Sequence, residues 1–314
     1  MNEDVCYFER RHRTIAMRSQ HRKLMKNHPM IESSRRTVEK MITYIVITFA
    51  LSSVFYYLII SSGSLTATGG IYATGLMWCP GIAALATQIV HRESLRDLGW
   101  GWGKTRYQVW SYLIPLLYAS VAYGLVWITG LGGFSGVEFV KGLGAQFGLQ
   151  HVPAWIIALG YLVVIVTLGT AVSCITALGE EIGWRGFLVP NLAKVTTYPK
   201  VALISGVIWS VWHYPLLFFA DYNAGTLAWY GATCFTVLVI GVSFAFAWMR
   251  LKSGSLWTGV FLHASHNLFI QRVFDPLTTD TGLTRYITGE FGVALALISL
   301  VVAYIFWKKR TELP

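Results

Sequence analysis

The dominant pattern along this chain is long, almost wholly apolar runs separated by short polar stretches. The runs extend from about Val38 to Ser61, Ile71 to Val90, Val109 to Leu131, Trp155 to Val189, Val201 to Phe219, Leu227 to Met249, Leu256 to Ile270 and Phe291 to Trp307. A helix rises about 1.5 Å per residue, so about 20 apolar residues cross the hydrocarbon of a bilayer. Inside lipid every backbone N–H and C=O must be satisfied within the protein, which helices achieve on their own. The pattern therefore predicts an all-α, polytopic membrane protein of about eight spans. Pro80 and Pro115 fall inside two of the runs and are expected to kink them. No internal repeat is visible.

Composition supports that class. The chain has 314 residues, 54% hydrophobic and 13% charged, with a mean hydropathy of +0.52; a soluble domain is far more polar. In a soluble protein the net charge of +10 would suggest nucleic acid. Here the basic residues cluster between apolar runs, so they report topology, and no nucleic-acid partner is expected. With eight spans and a cytosolic N-terminus, all of the 25 Lys and Arg residues except Lys141, Arg272 and Arg285 fall on the cytosolic side. Both termini are then cytosolic.

Three regions follow. Residues 1–37 form a basic cytosolic arm with no apolar run, which excludes a cleaved signal peptide of the usual design. The arm either rests on anionic lipid headgroups or is a disordered tail that only sets orientation. Residues 38–308 form the membrane domain, and 309–314 a cytosolic tail. Trp100 and Trp102 suit an anchor at headgroup depth, while Gly132 to His151 reads either as an outer loop or as a re-entrant segment. Cys6, Cys79, Cys174 and Cys234 show no paired spacing, so neither a disulfide framework nor a zinc cluster follows from them.

The candidate chemistry lies in the few polar groups inside the runs. Glu180, Glu181 and Arg185 sit in an apolar stretch where ionisable groups are costly and mark a functional site by default. Four residues apart on a helix, Glu181 and Arg185 can pair, leaving Glu180 about 100° away and free to act. Gly179 and Gly183 let another helix approach closely. A second cluster is Trp209 with His213, and a third is His263, His266 and Asn267, in which His263 and Asn267 share a helix face. Counted from the cytosolic helix ends, Glu180 lies about 15 Å deep, His213 about 21 Å, His263 about 12 Å and Asn267 about 18 Å. Four polar groups converging on one layer imply a wet pocket.

Three chemistries could use it. Glu180 could take a proton from water and pass it to a leaving amine, with His213 orienting that water and His263 and Asn267 donating to an oxyanion. Glu180, His213 and His263 could instead hold Zn²⁺, although no HExxH spacing is present. The third possibility is a proton relay in a transporter. The bland reading is a buried ion pair that locks a helix bundle.

The order EExxxR, aromatic-xxxH and HxxxN, carried here by Glu180, Glu181 and Arg185, then Trp209 and His213, then His263 and Asn267, resembles the CPBP family of intramembrane proteases. This family, also called Abi or CAAX-protease, includes the type II CAAX prenyl endopeptidases. The resemblance covers about Ala177 to Asn267, within a core of about 155–272. It implies that Glu180 is the base and His213 its partner, that His263 and Asn267 stabilise the oxyanion, and that Glu181 and Arg185 support them, with no metal required. Trp209 departs from the usual phenylalanine and is expected to shape a substrate pocket. The resemblance implies an integral membrane endopeptidase, in the cell membrane if bacterial, whose partners are membrane lipids and a peptide or protein substrate, lipidated in some relatives. The competing reading is a non-catalytic scaffold or bacteriocin-immunity protein of the same fold.

Overall fold

The computed structural model describes residues 3–313, with side chains from residue 32 onward. What the side chains of residues 1–31 of the basic arm contact therefore lies outside the described residues. Every one of the eight apolar runs is helical: α1 (Glu3–Ser62), α2 (Ile71–Val90), α3 (Thr105–Thr129), the bent series α5 (Ala154–Val164), α6 (Thr170–Glu181) and α7 (Val189–Ala193), then α8 (Tyr198–Phe219), α9 (Ala228–Ser253), α10 (Trp257–Phe269) and α11 (Val293–Lys308). Six segments are long and apolar enough to cross a membrane: Glu32–Ser62, Ala67–Val90, Thr105–Thr129, Ala154–Ala193, Tyr198–Phe219 and Ala228–Ser253. The seventh and eighth runs fall short of that measure. α10 is only 13 residues long and interleaves polar groups at His263, Ser265, His266 and Asn267, while the 16 residues of α11 run directly into charged Lys309 and Arg310.

The fourth run is one long helical rod with two widened turns. α5 (Ala154–Val164) passes through a π-helical stretch at Ile165–Gly169 into α6 (Thr170–Glu181). A second π stretch, Ile182–Leu188, leads into α7 (Val189–Ala193). Such widened turns recur at functional sites, and the second follows directly on the two glutamates. Gly132 to His151 is neither a bare loop nor a spanning segment. It holds a two-residue strand β1 (Gly133–Phe134), antiparallel to β2 (Thr278–Thr279), and the 11-residue helix α4 (Gly136–Gln146).

Much of the outside of the bundle is apolar. Ile128, Trp155, Leu168 and Phe219 are among many large apolar side chains left exposed, an arrangement that water penalises but lipid tails do not. The protein is a multi-pass integral membrane protein. Its interior centres on α8, α9 and α10, with Trp184, Trp212, Phe246 and Leu217 fully buried among them. Gly179 and Gly183 act as their spacing suggests: a Cβ on Gly179 would lie 2.7 Å from the Met77 carbonyl oxygen, and one on Gly183 2.6 Å from that of Pro80. The pair lets α6 and its π turn press against the backbone of α2, and that close approach sets where the glutamates enter the core.

Candidate active site

Glu180 and Glu181 close α6 and are 2% and 0% exposed. As helix neighbours they point in different directions, and they meet different partners. Glu181 Oε1 accepts from Arg185 Nη1 at 2.8 Å and from His263 Nδ1 at 2.9 Å. The Arg185 guanidinium lies 4.1 Å from the Trp209 ring centre and 3.8 Å from that of Phe246, where ring faces favour a cation. Arg250 of α9 donates its Nε–H to the Arg185 carbonyl at 2.8 Å. The expected Glu181–Arg185 pair is present, with His263 added to it. Glu181 Oε2 and Arg185 Nε have no partner among the described residues.

Glu180 meets only neutral donors. Its Oε2 accepts the indole N–H of Trp209 at 2.8 Å and that of Trp184 at 3.3 Å. Oε1 has no hydrogen-bond partner among the described residues, so one oxygen is held and the other is left for a guest. Trp184 sits one turn after Glu180, which explains its reach; its part was not visible in the sequence.

His213 packs edge-on against Trp212 and Phe235, with ring centres 4.7 and 4.9 Å away, and lies nearly parallel to Tyr222 at 5.8 Å and 22°. Its Nδ1 lies 2.9 Å from the Trp209 carbonyl. A carbonyl can only accept, so Nδ1 carries the proton and the neutral ring keeps its lone pair on Nε2. A histidine bonded to a backbone carbonyl is what an inert core residue would show. Here the same bond fixes the tautomer that can accept a proton from water.

Trp209 is the hub of the cluster. Its N–H holds Glu180, its face lies under Arg185, its carbonyl holds His213, and its ring centre is 5.3 Å from that of His263 and 6.2 Å from that of His213. The indole is 6% exposed and its one donor is committed to Glu180. Trp209, expected to shape a substrate pocket, touches Glu180, Arg185, His213 and His263. Asn267 lies one turn beyond His263 on α10, half-buried, with no side-chain hydrogen bond among the described residues.

His266 faces elsewhere. Its Nδ1 meets the Tyr118 hydroxyl, and its Nε2 lies 3.2 Å from Glu290 Oε1. Glu290 went unremarked in the sequence because it sits in a polar loop between two apolar runs, where an acid normally faces water. Nothing in its spacing distinguishes it.

Among the described residues no three His, Cys, Asp or Glu side chains are gathered into a metal-ligand set. Glu180 Oε2 and Nδ1 of both histidines are already committed to the tryptophans, Glu181 and a carbonyl. The atoms left open are Glu180 Oε1 and Nε2 of the two histidines, the positions from which a carboxylate and imidazoles would hold a metal while Nδ1 is fixed by an outer partner.

Residues 163–269 match the family described as type II CAAX prenyl endopeptidase Rce1-like. A segment of 143 residues is 29% identical to CAAX prenyl protease 2 of Methanococcus maripaludis, covering 43% of this chain and 50% of that protein. The chain thus spans about half the length of the curated relative it matches. The matched family segment holds the two glutamates, Arg185, Trp209, His213, His263 and Asn267 in the order that resembled this family, on a polytopic helical frame. Over these segments the chain is similar to the CPBP, or CAAX protease, family of membrane proteins.

Proposed function

We propose that the protein is an intramembrane endopeptidase that hydrolyses a peptide bond with water activated by Glu180 and His213. The observation that carries this reading is the gathering of Glu180, His213 and His263 around the single indole of Trp209. Glu180 Oε1 and His213 Nε2 are both proton acceptors, and a water held between them has its proton taken as it attacks the carbonyl carbon. The carboxyl group then returns that proton to the leaving amine.

Charge on the tetrahedral intermediate needs donors. The His263 Nδ1–H is committed to the Glu181 carboxylate, so a neutral ring would have only a lone pair at Nε2. A doubly protonated ring paired with Glu181 offers Nε2–H to the oxyanion, and the Asn267 amide adds a second donor. Each such donor is worth about 3 kcal/mol in a site that excludes water. Glu181 thus acts by orienting and charging His263, while Arg185 balances it. The resemblance to a CAAX prenyl protease supports a membrane-associated protein or peptide as substrate, cut in the cytosolic half of the bilayer; a prenylated C-terminus is one such substrate.

The deciding experiment compares membranes that carry the wild type with membranes that carry Glu180→Gln, using mass spectrometry of new protein termini. Termini that depend on Glu180 are expected. Identical termini in both would leave a helical scaffold.

A further inference from the structure

We propose that Glu290 is a positioning residue for this site: a carboxylate delivered by the loop before α11 that locks the ring of His213 through Tyr222 and braces the helix bearing Asn267 through His266. The proposal rests on the endopeptidase reading and extends it to residues outside the family motifs. Glu290 and Tyr118 lie beyond the matched segment, 163–269.

The loop is built to present this side chain inward. Gly289 has φ of +72°, a turn that favours glycine. Its N–H donates to the Tyr123 hydroxyl at 3.0 Å, and Tyr123 in turn donates to Asp275. Ala294 N–H closes onto the Ile287 carbonyl at 2.9 Å. The chain is held on both sides of residue 290, and Glu290 is 6% exposed. An acid so deeply buried is expensive unless its oxygens are satisfied, and they are. Oε1 accepts from His266 Nε2 at 3.2 Å and from Gln271 Nε2 at 3.1 Å, and Oε2 accepts from the Tyr222 hydroxyl at 3.2 Å.

Two of these partners lead to the site. The Tyr222 ring lies at 22° to the His213 imidazole, so fixing its hydroxyl fixes the surface against which His213 rests. Phe291, the next residue in the loop, completes that surface: its ring centre is 5.0 Å from Tyr222 and 5.7 Å from Phe235, the other aromatic on His213. His266 immediately precedes Asn267, and its second nitrogen is held by Tyr118 of α3. One carboxylate therefore couples the histidine of the second motif to the helix of the third. Those two elements must keep register for water and oxyanion to be served together.

The test uses the full chain in detergent or nanodiscs, with Tyr222→Phe, Glu290→Gln, the double variant, and Tyr123→Phe as a control that loosens the same loop without touching His213. Tyr222→Phe removes one oxygen and keeps the ring. We expect kcat to fall on the order of tenfold, as for a misplaced catalytic group, with KM unchanged. Glu290→Gln, which also loosens His266, should lose at least as much, and the double variant no more than Glu290→Gln alone, because Tyr222 acts through Glu290. Tyr123→Phe should lower the melting temperature and cost clearly less kcat than Tyr222→Phe or Glu290→Gln. Additive losses in the double variant, or equal kcat losses from Tyr123→Phe, would overturn the proposal. Nitrogen-15 histidine spectra supply a readout independent of turnover. His213 signals that broaden or change tautomer in Tyr222→Phe support the linkage, and unchanged signals refute it. If Glu180→Gln cleaves like wild type while the His213 signals still respond to Tyr222→Phe, the endopeptidase reading has failed and the linkage has not.

Discussion

Glu180 and Glu181 are chain neighbours, both buried, yet one bonds directly to a guanidinium and an imidazole and the other only to indoles. Glu181 shares a single oxygen between a guanidinium and an imidazole, 2.8 and 2.9 Å away. Glu180 is held by two indole N–H groups on one oxygen. Neutral donors hold a carboxylate in place without pinning it in the ionised state as a bonded cation does. The comparison teaches how a helix can give two identical side chains separate tasks: the charge-paired one organises, and the one with neutral partners is available to react.

Several variants would break or sharpen that contrast. The largest effect belongs to Glu180→Gln, which keeps both indole contacts and should lower peptide hydrolysis by about 10²–10⁴-fold, the usual share of a general base, with little change in melting temperature. Glu181→Ala should lower stability as well as turnover, since His263 loses its partner. It strands Arg185 in the core, and removing one partner of a buried pair costs about 3–5 kcal/mol, which thermal unfolding in detergent would register. If Glu181→Ala melts like wild type but loses all turnover, the division of roles is reversed.

Trp209→Phe comes next. The ring stays under Arg185 and beside His263, and only the N–H to Glu180 is lost. A hydrogen bond to a charged group is worth about 1.5–3 kcal/mol, so kcat should fall about 10- to 100-fold with KM steady. A shift in KM across a peptide panel with kcat preserved would make Trp209 a substrate-contacting residue instead. The smallest effect is the control for spacing. Arg35 and Glu39 pair at 3.0 Å with the same four-residue separation as Glu181 and Arg185, but are 73% and 54% exposed. Arg35→Ala should change stability by only about 0.2–0.5 kcal/mol, showing that burial, not spacing, gives the inner pair its weight.

Much of the frame was legible because it is local. All eight apolar runs became helices, and Glu181 met Arg185 one turn away even across a π-helical stretch. Two runs fall short of the length and apolarity that mark a span by composition alone, and the one holding His263 and Asn267 does so because polar groups interrupt it. The close approach at Gly179 and Gly183 was also readable, since small residues four apart report contact with another helix.

The chain by itself determined which segments are helical, which polar groups lie among them and which family they resemble. Periodicity, apolar length and motif order are properties of neighbouring residues. Only the tertiary structure decided that Trp209 holds Glu180, that His263 turns its Nδ1 to Glu181, and that Glu290 enters from a loop to meet Tyr222 and His266. Those contacts join residues far apart in the chain, and which oxygen takes which donor depends on helix rotation and depth, quantities that no local pattern encodes.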